Sequence, residues 1–264
     1  MNLVGFTLLR NGVKYDYCFR ESLFSLAGFV SKIYLALGDS EDDTEKLLQE
    51  IPNLKIISTT WDMSKREGGI ILSEQTNFAL DAARIENKHD ARAWGIYLQA
   101  DEVLHQDDFQ LIKGDLEKAE AQGCDALAFR YLHFWQAYDR IAINKKWYPQ
   151  EIRALKLNTN IESWGDAQGF RNCRKIFYSE ARVFHYGHVR EAASYSLKKD
   201  DILKLYHSDG KMKKYKAREK RFDNMTETLV YLGDHPNFMK KRVEKAGGIW
   251  EGVARECVHI VGSS

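Results

Sequence analysis

The residues best suited to chemistry fall in four short stretches. YLQADEVLH, from Tyr97, sets two carboxylates, Asp101 and Glu102, at the end of a strand-like run. Side chains alternate along an extended chain, so Gln99 and Asp101 share one side and Glu102 takes the other. A strand-end carboxylate suits a hard cation such as Mg²⁺ or Mn²⁺, which takes oxygen ligands and bridges to phosphates. It serves equally well as an acidic cap for a helix starting at Asp107. FHYGHVR, from Phe184, gathers His185, His188 and Arg190 around Gly187. Neutral imidazole ligates Mn²⁺, guanidinium pairs with phosphate, and glycine lets a backbone approach a ligand closely. Histidines three apart are also common structural residues, and no cysteine or third histidine is near enough for a closed zinc site.

ESWGDAQGFR, from Glu162, places Glu162 and Asp166 in a glycine-bearing loop, where a carboxylate can deprotonate a hydroxyl or simply decorate a turn. GDSEDDT, from Gly38, is a turn and helix start. Its Asp39 can bond a nucleobase or ribose, while Asp42 and Asp43 suit the helix dipole. The phosphate loop GxxxxGK[ST], the dinucleotide fingerprint GxGxxG and the nucleophile elbow GxSxG are all missing. Kinase, dehydrogenase and hydrolase chemistry are correspondingly disfavoured.

Strands and helices in strict alternation would position these residues. Leu3–Leu9, Val30–Leu37, Leu54–Ser58 and Trp94–Leu98 are strand-like; Tyr17–Leu26, Asp42–Glu50 and Ile70–Ala83 have helical spacing. The order β-α-β-α-β-α-β predicts an α/β fold, a mostly parallel, Rossmann-like central sheet with helices on both faces. Ligands of such sheets bind beyond the carboxyl ends of the strands, where Arg10, Asn11, Asp39 and Asp101 all fall. Asp107–Gln122 reads as a helix and Ala126–Tyr131 as a strand. His133–Asn160 reads as an irregular aromatic stretch, and Lys175–Tyr178 with Arg182–Tyr186 as a strand pair. Ser194–Leu205 and Asn224–Glu244 read as helices around a basic run, Lys211–Arg221, which suits either a solvated face or an anionic membrane surface. The expected division is a core of residues 1–190 and a C-terminal helical extension of residues 191–264.

The 264 residues carry a net charge of +1, so the whole molecule is no electrostatic nucleic-acid binder and any anion site must be local. Four cysteines without CxxC spacing suit reduced thiols in a cytoplasmic protein. No apolar run reaches the ~20 residues of a membrane span, so membrane association would be peripheral.

The ordered motifs resemble bacterial family 2 glycosyltransferases, nucleotide-diphospho-sugar transferases of the GT-A fold. TLLRNG from Thr7, GDSEDDT from Gly38, EQTNFAL from Glu74 and YLQADEVLH from Tyr97 carry the likeness, which extends over residues 1–190. The resemblance implies transfer of a sugar from a nucleoside diphosphate sugar to a saccharide or lipid-linked hydroxyl, as in cell-surface polysaccharide or glycolipid synthesis. It assigns the donor to Arg10, Asn11, Asp39, Asn77, Gln99, Asp101 and Arg190, with Asp39 reading the base. It assigns Mn²⁺ or Mg²⁺ to Asp101 and His185, with His188 beside them, and gives Asp166 the role of base in an inverting reaction. Gln99 stands where the metal-associated DxD motif has its first aspartate, which weakens the expected metal affinity. Trp135 and Trp164 suit a sugar platform. A nucleotidyltransferase, or a non-catalytic nucleotide-sugar binder, fits the same sheet order.

Overall fold

A computed structural model describes residues 1–65, 68–206 and 226–246. The first half follows the expected alternation: β1 (Leu3–Leu9), α1 (Phe19–Ala27), β2 (Lys32–Gly38), α2 (Thr44–Leu48), β3 (Leu54–Thr59), α3 (Ile70–Asn87) and β4 (Trp94–Tyr97). Next come β5 (Glu102–Leu104), α4 (Phe109–Ala121), β6 (Ala126–Trp135), β7 (Arg140–Ala142), β8 (Gln150–Lys156) and the small pair β9 (Glu162–Ser163) and β10 (Phe170–Arg171). The described chain ends with β11 (Ile176–His188), α5 (Ala192–Tyr206), β12 (Thr228–Val230) and α6 (Lys240–Lys245).

Among the described residues ten strands form one sheet, in the order β12-β7-β6-β8-β4-β1-β2-β3, with β11 beside β6 and β5 beside β11. The pairs β1–β2, β2–β3 and β1–β4 are parallel, whereas β8 is antiparallel to both β4 and β6. The fold class is the expected α/β one, a mostly parallel central sheet flanked by helices.

Strand alternation explains both layers of the core. Every residue of β1 is buried. Leu3 and Leu9 join a cluster with Leu23 and Leu26 of α1 and Ile112 and Leu116 of α4. Val4, Phe6 and Leu8 point the other way, against Ala79, Leu80 and Ala83 of α3. A strand buried on both faces reads as one continuous apolar run, as LVGFTLL does. The small α3 residues let that helix settle close on the sheet.

Three expectations need correcting. The stretch 133–160 is not irregular throughout, because β6 runs on to Trp135 and β8 lies at the middle of the sheet. The two strand-like pieces around 175–186 are one strand, β11, whose pairing with β6 is interrupted by register shifts. The helix expected over Asn224–Glu244 is, within the described residues, β12, a 3₁₀ turn at Asn237–Met239 and the short α6. Gly233 and Pro236 explain that break, since glycine disfavours a helix and proline lacks the N–H that a helix interior needs. The basic run Lys211–Arg221 lies outside the described residues. Among the described residues no helix is long and apolar enough to cross a membrane.

Candidate active site

A cavity of about 490 Å³ opens beyond the carboxyl ends of β1, β2 and β4, within the usual range for a small-molecule site. Arg10 and Asn11 line it from β1, Trp61 from beyond β3, and Gln99 and Asp101 from the turn after β4. Asp166, His185, Lys198 and Tyr206 complete its far wall.

The turn after β1 is held by Asn11, which adopts a left-handed backbone with φ 53°. Its backbone N–H donates to Ser40 Oγ at 3.0 Å, and its Oδ1 accepts from the Glu41 N–H at 2.8 Å. Asparagine tolerates this conformation better than most residues. Arg10 donates from Nε to the Asp39 carbonyl at 3.0 Å and lies over the Trp61 ring, 5.3 Å from its centroid. A side chain at Gly38 would collide with the Trp61 indole, so the glycine makes room for that ring. Trp61 Nε1 is buried and has no hydrogen-bond partner.

Asp101 is 5% exposed and sits at the centre of a charged cluster. Its Oδ2 accepts from Arg190 Nη2 at 2.6 Å and from Lys198 Nζ at 3.0 Å. Burial alone would raise its pKa, but Lys198, His185 and Arg190 outweigh that and hold the carboxyl well below the usual range. Arg190 also donates to the carbonyls of Gly187 and Tyr15, at 2.8 and 2.6 Å, and packs over Tyr17. Lys198 has its pKa lowered to about 8, by burial first and then by Arg190. As expected, Glu102 points away from the cavity. It forms a fully buried pair with Arg153, which donates from Nε and Nη2 at 2.9 and 2.8 Å, and it also accepts from Tyr131 Oη.

His185 belongs to a relay of imidazoles. The Tyr148 carbonyl can only accept, so His133 carries its proton on Nε2, 2.8 Å away. His133 Nδ1 then accepts from His185 Nδ1 at 3.0 Å, and His185 Nε2 lies 3.9 Å from Asp101 Oδ1. Burial lowers the pKa of both rings, His133 to about 3. A Cβ at Gly187 would collide with His185 Nε2 and lie 3.0 Å from Asp101 Oδ2, so this glycine clears space for that approach.

The metal set suggested by the sequence is therefore only half assembled. Asp101 Oδ1 and His185 Nε2 face each other. His188 is absent from the cavity lining; its Nδ1 meets Tyr195 Oη at 3.3 Å and its ring packs on Trp135 and Trp147. Gln99 donates from Nε2 to the Ala167 carbonyl at 3.2 Å. Among the described residues no three His, Cys, Asp or Glu side chains converge well enough to hold a metal ion. A divalent ion on Asp101 would also meet Arg190 and Lys198; at an effective dielectric of about 20, each such pair ~5 Å apart repels by about 7 kcal/mol. The residues do not fit Mn²⁺ or Mg²⁺ in the expected role.

Asp166 also lines the cavity, its Oδ1 accepting from the Gln168 N–H at 3.3 Å and its Oδ2 from Tyr206 Oη at 3.2 Å. Asp39 is exposed and outside the cavity lining. Asn77 is also outside it, and ties α3 to the Ser163 backbone through bonds of 3.0 and 2.9 Å. Trp135 is buried among Trp147 and His188, and Trp164, though 55% exposed, does not face the cavity; neither forms a platform there. Sequence reasoning missed Trp61, Lys198 and Tyr206. Trp61 follows a strand end as Arg10 does, a signal that was available. Lys198 and Tyr206 lie on α5, where no motif marks them.

No protein-family model matches the chain, and no curated protein matches it. Similar solved structures include S. aureus TarS residues 1–349 in complex with UDP-GlcNAc, at 13% identity and a TM-score of 0.46, covering 78% of this chain and 64% of that one. Against a longer TarS chain the match spans 39% of its length. A 4-diphosphocytidyl-2C-methyl-D-erythritol synthase matches at 9% identity and a TM-score of 0.41, covering 75% of this chain and 99% of its own.

Proposed function

We propose that this protein is a glycosyltransferase that moves a sugar from a nucleoside diphosphate sugar to a hydroxyl acceptor. The observation that carries the reading is the cavity itself. It brings a cationic cluster on Asp101 and a separate carboxylate, Asp166, into one cavity at the carboxyl edge of a mostly parallel sheet. Transfer to a hydroxyl needs both elements: positive charge where the diphosphate departs, and a base where the acceptor loses its proton. Trp61 lines the cavity on its β2–β3 side. The motif order from Thr7 to His105 supports the same reading.

In this scheme the acceptor oxygen attacks the anomeric carbon while the bond to the diphosphate oxygen breaks. The acceptor proton passes to Asp166, whose carboxylate is oriented by the Gln168 N–H and Tyr206 Oη. Attack from the face opposite the leaving group inverts the anomeric centre. The acceptor class is a saccharide or lipid-linked hydroxyl, as in building surface polysaccharide or glycolipid.

The test is release of nucleoside diphosphate from a panel of nucleotide sugars, each with a set of saccharide acceptors. We expect turnover with one donor, and in Asp166→Asn a kcat lower by about 10²–10⁴-fold with little change in donor KM. Pyrophosphate release from a sugar phosphate and a nucleoside triphosphate, without any donor turnover, would replace this reading with nucleotidyl transfer. Nucleotide binding with neither reaction would make the protein a binder.

A further inference from the structure

Within that reading, on which this inference rests, we propose that Lys198 meets the diphosphate of the nucleotide, and that it does so in place of a divalent metal. Asp101 is the position from which a metal would be expected to neutralise the leaving group. Here the same carboxylate presents two side-chain cations.

The two cations divide the work. Arg190 has a side chain 1% exposed and is absent from the cavity lining. Three of its five donors go to Asp101 and to the Gly187 and Tyr15 carbonyls, so, buried away from the cavity, it is a positioning residue that fixes the carboxylate. Lys198 is 15% exposed and lines the cavity. Its ammonium carries three donors, of which Asp101 accepts one. The Tyr17 ring lies under it at 4.6 Å and holds it at the cavity wall.

The charge balance agrees. One carboxylate facing two cations leaves an unmatched positive charge at this wall. The cavity's acidic residue on α5, Asp201, is itself taken up by Lys204 and Tyr15. Gln99 fits the same picture. A second carboxylate there would neutralise the surplus, whereas an amide leaves it for an anionic ligand. A lysine serves phosphate as a compact point charge, which suits an ammonium lining a pocket better than a fixed fork.

The experiment is calorimetric titration of UDP, GDP, dTDP, CDP and ADP, each in EDTA and in Mn²⁺, into wild type, Lys198→Met and Lys198→Arg. Circular dichroism and the ligand-free Tm confirm that each variant is folded. We expect one diphosphate to bind wild type in EDTA with an affinity that Mn²⁺ does not raise. Lys198→Met should weaken that binding by about tenfold or more, with substantial recovery in Lys198→Arg. The matching nucleoside monophosphate should lose less than the diphosphate. Binding that requires Mn²⁺, or metal-free binding unchanged in Lys198→Met, overturns the proposal and leaves the nucleotide site standing. Failure of every diphosphate to bind folded wild type, with or without metal, removes the nucleotide reading itself.

Discussion

Asp101 carries two loads, one chemical and one structural. Replacing it with alanine leaves Arg190 and Lys198 buried against each other without their shared counter-ion. Losing one member of a buried charged cluster costs about 3–5 kcal/mol. We therefore expect Asp101→Ala to lower urea-denaturation stability by that order as well as abolishing turnover, so loss of activity in that variant alone does not isolate its chemical role. Gly187→Ala should act on the same point from the backbone side. Its Cβ forces His185 away from Asp101 and should cost about 1–3 kcal/mol, seen as a lower Tm. Asp101, His185 and Asp166 were legible in the sequence because a strand end and a glycine-rich loop announce them. Lys198 was not, because a lysine in SYSLKKDD looks like any solvated helix face. Only the path of α5 over the cavity brings it to a carboxylate 97 residues earlier.

Among the elements, the first four strands could be read because each is a short apolar run bounded by polar turns. β8 could not. Its sequence QEIRALK carries Arg153 at what proves to be a fully buried position, and a buried arginine breaks the apolar pattern that marks a central strand. The charge is tolerated because Glu102 answers it with two bonds and the Tyr97 and Tyr131 rings sandwich the guanidinium, each centroid 5.1 Å away. Arg153→Met should leave Glu102 buried and unpaired, at a cost of about 3–5 kcal/mol in denaturant unfolding. Arg153→Met combined with Glu102→Gln should recover part of it, since the uncompensated charge is then gone. The helical reading of 224–244 failed for a simpler reason: the apolar residues have helical spacing, but Gly233 and Pro236 interrupt the backbone between them.

The molecule as a whole should be sensitive to mild acid. His235 packs among the Phe134, Tyr138 and Tyr231 rings and meets Tyr186 Oη at 2.8 Å. Burial lowers its pKa from 6.5 to about 4, as it lowers that of His133 to about 3. The folded state thus favours the neutral rings, and the unfolded chain takes up protons first. This contribution is whole above pH 6.5 and is lost as the pH falls from 6.5 towards about 4. For His235 alone the loss reaches about 3 kcal/mol at the lower end. Thermal melts across that range should show a falling Tm with a flatter slope in His235→Asn, and an unchanged slope would remove His235 as the sensor.

The antiparallel position of β8 also has a consequence for the newborn chain. β4 lies between β1, made before it, and β8, made about sixty residues after β4 itself. Until Lys156 has left the ribosome, β4 is an open edge that carries Trp94, Ile96 and Tyr97, all wholly buried in the finished protein. Unpaired apolar edges recruit other strands. A fragment ending at Gly123 should therefore associate with itself or with a chaperone, whereas one extended past β8 to His188 should remain dispersed. The strand that joins the two halves of the sheet is, during synthesis, what ends the chain's exposure to its neighbours.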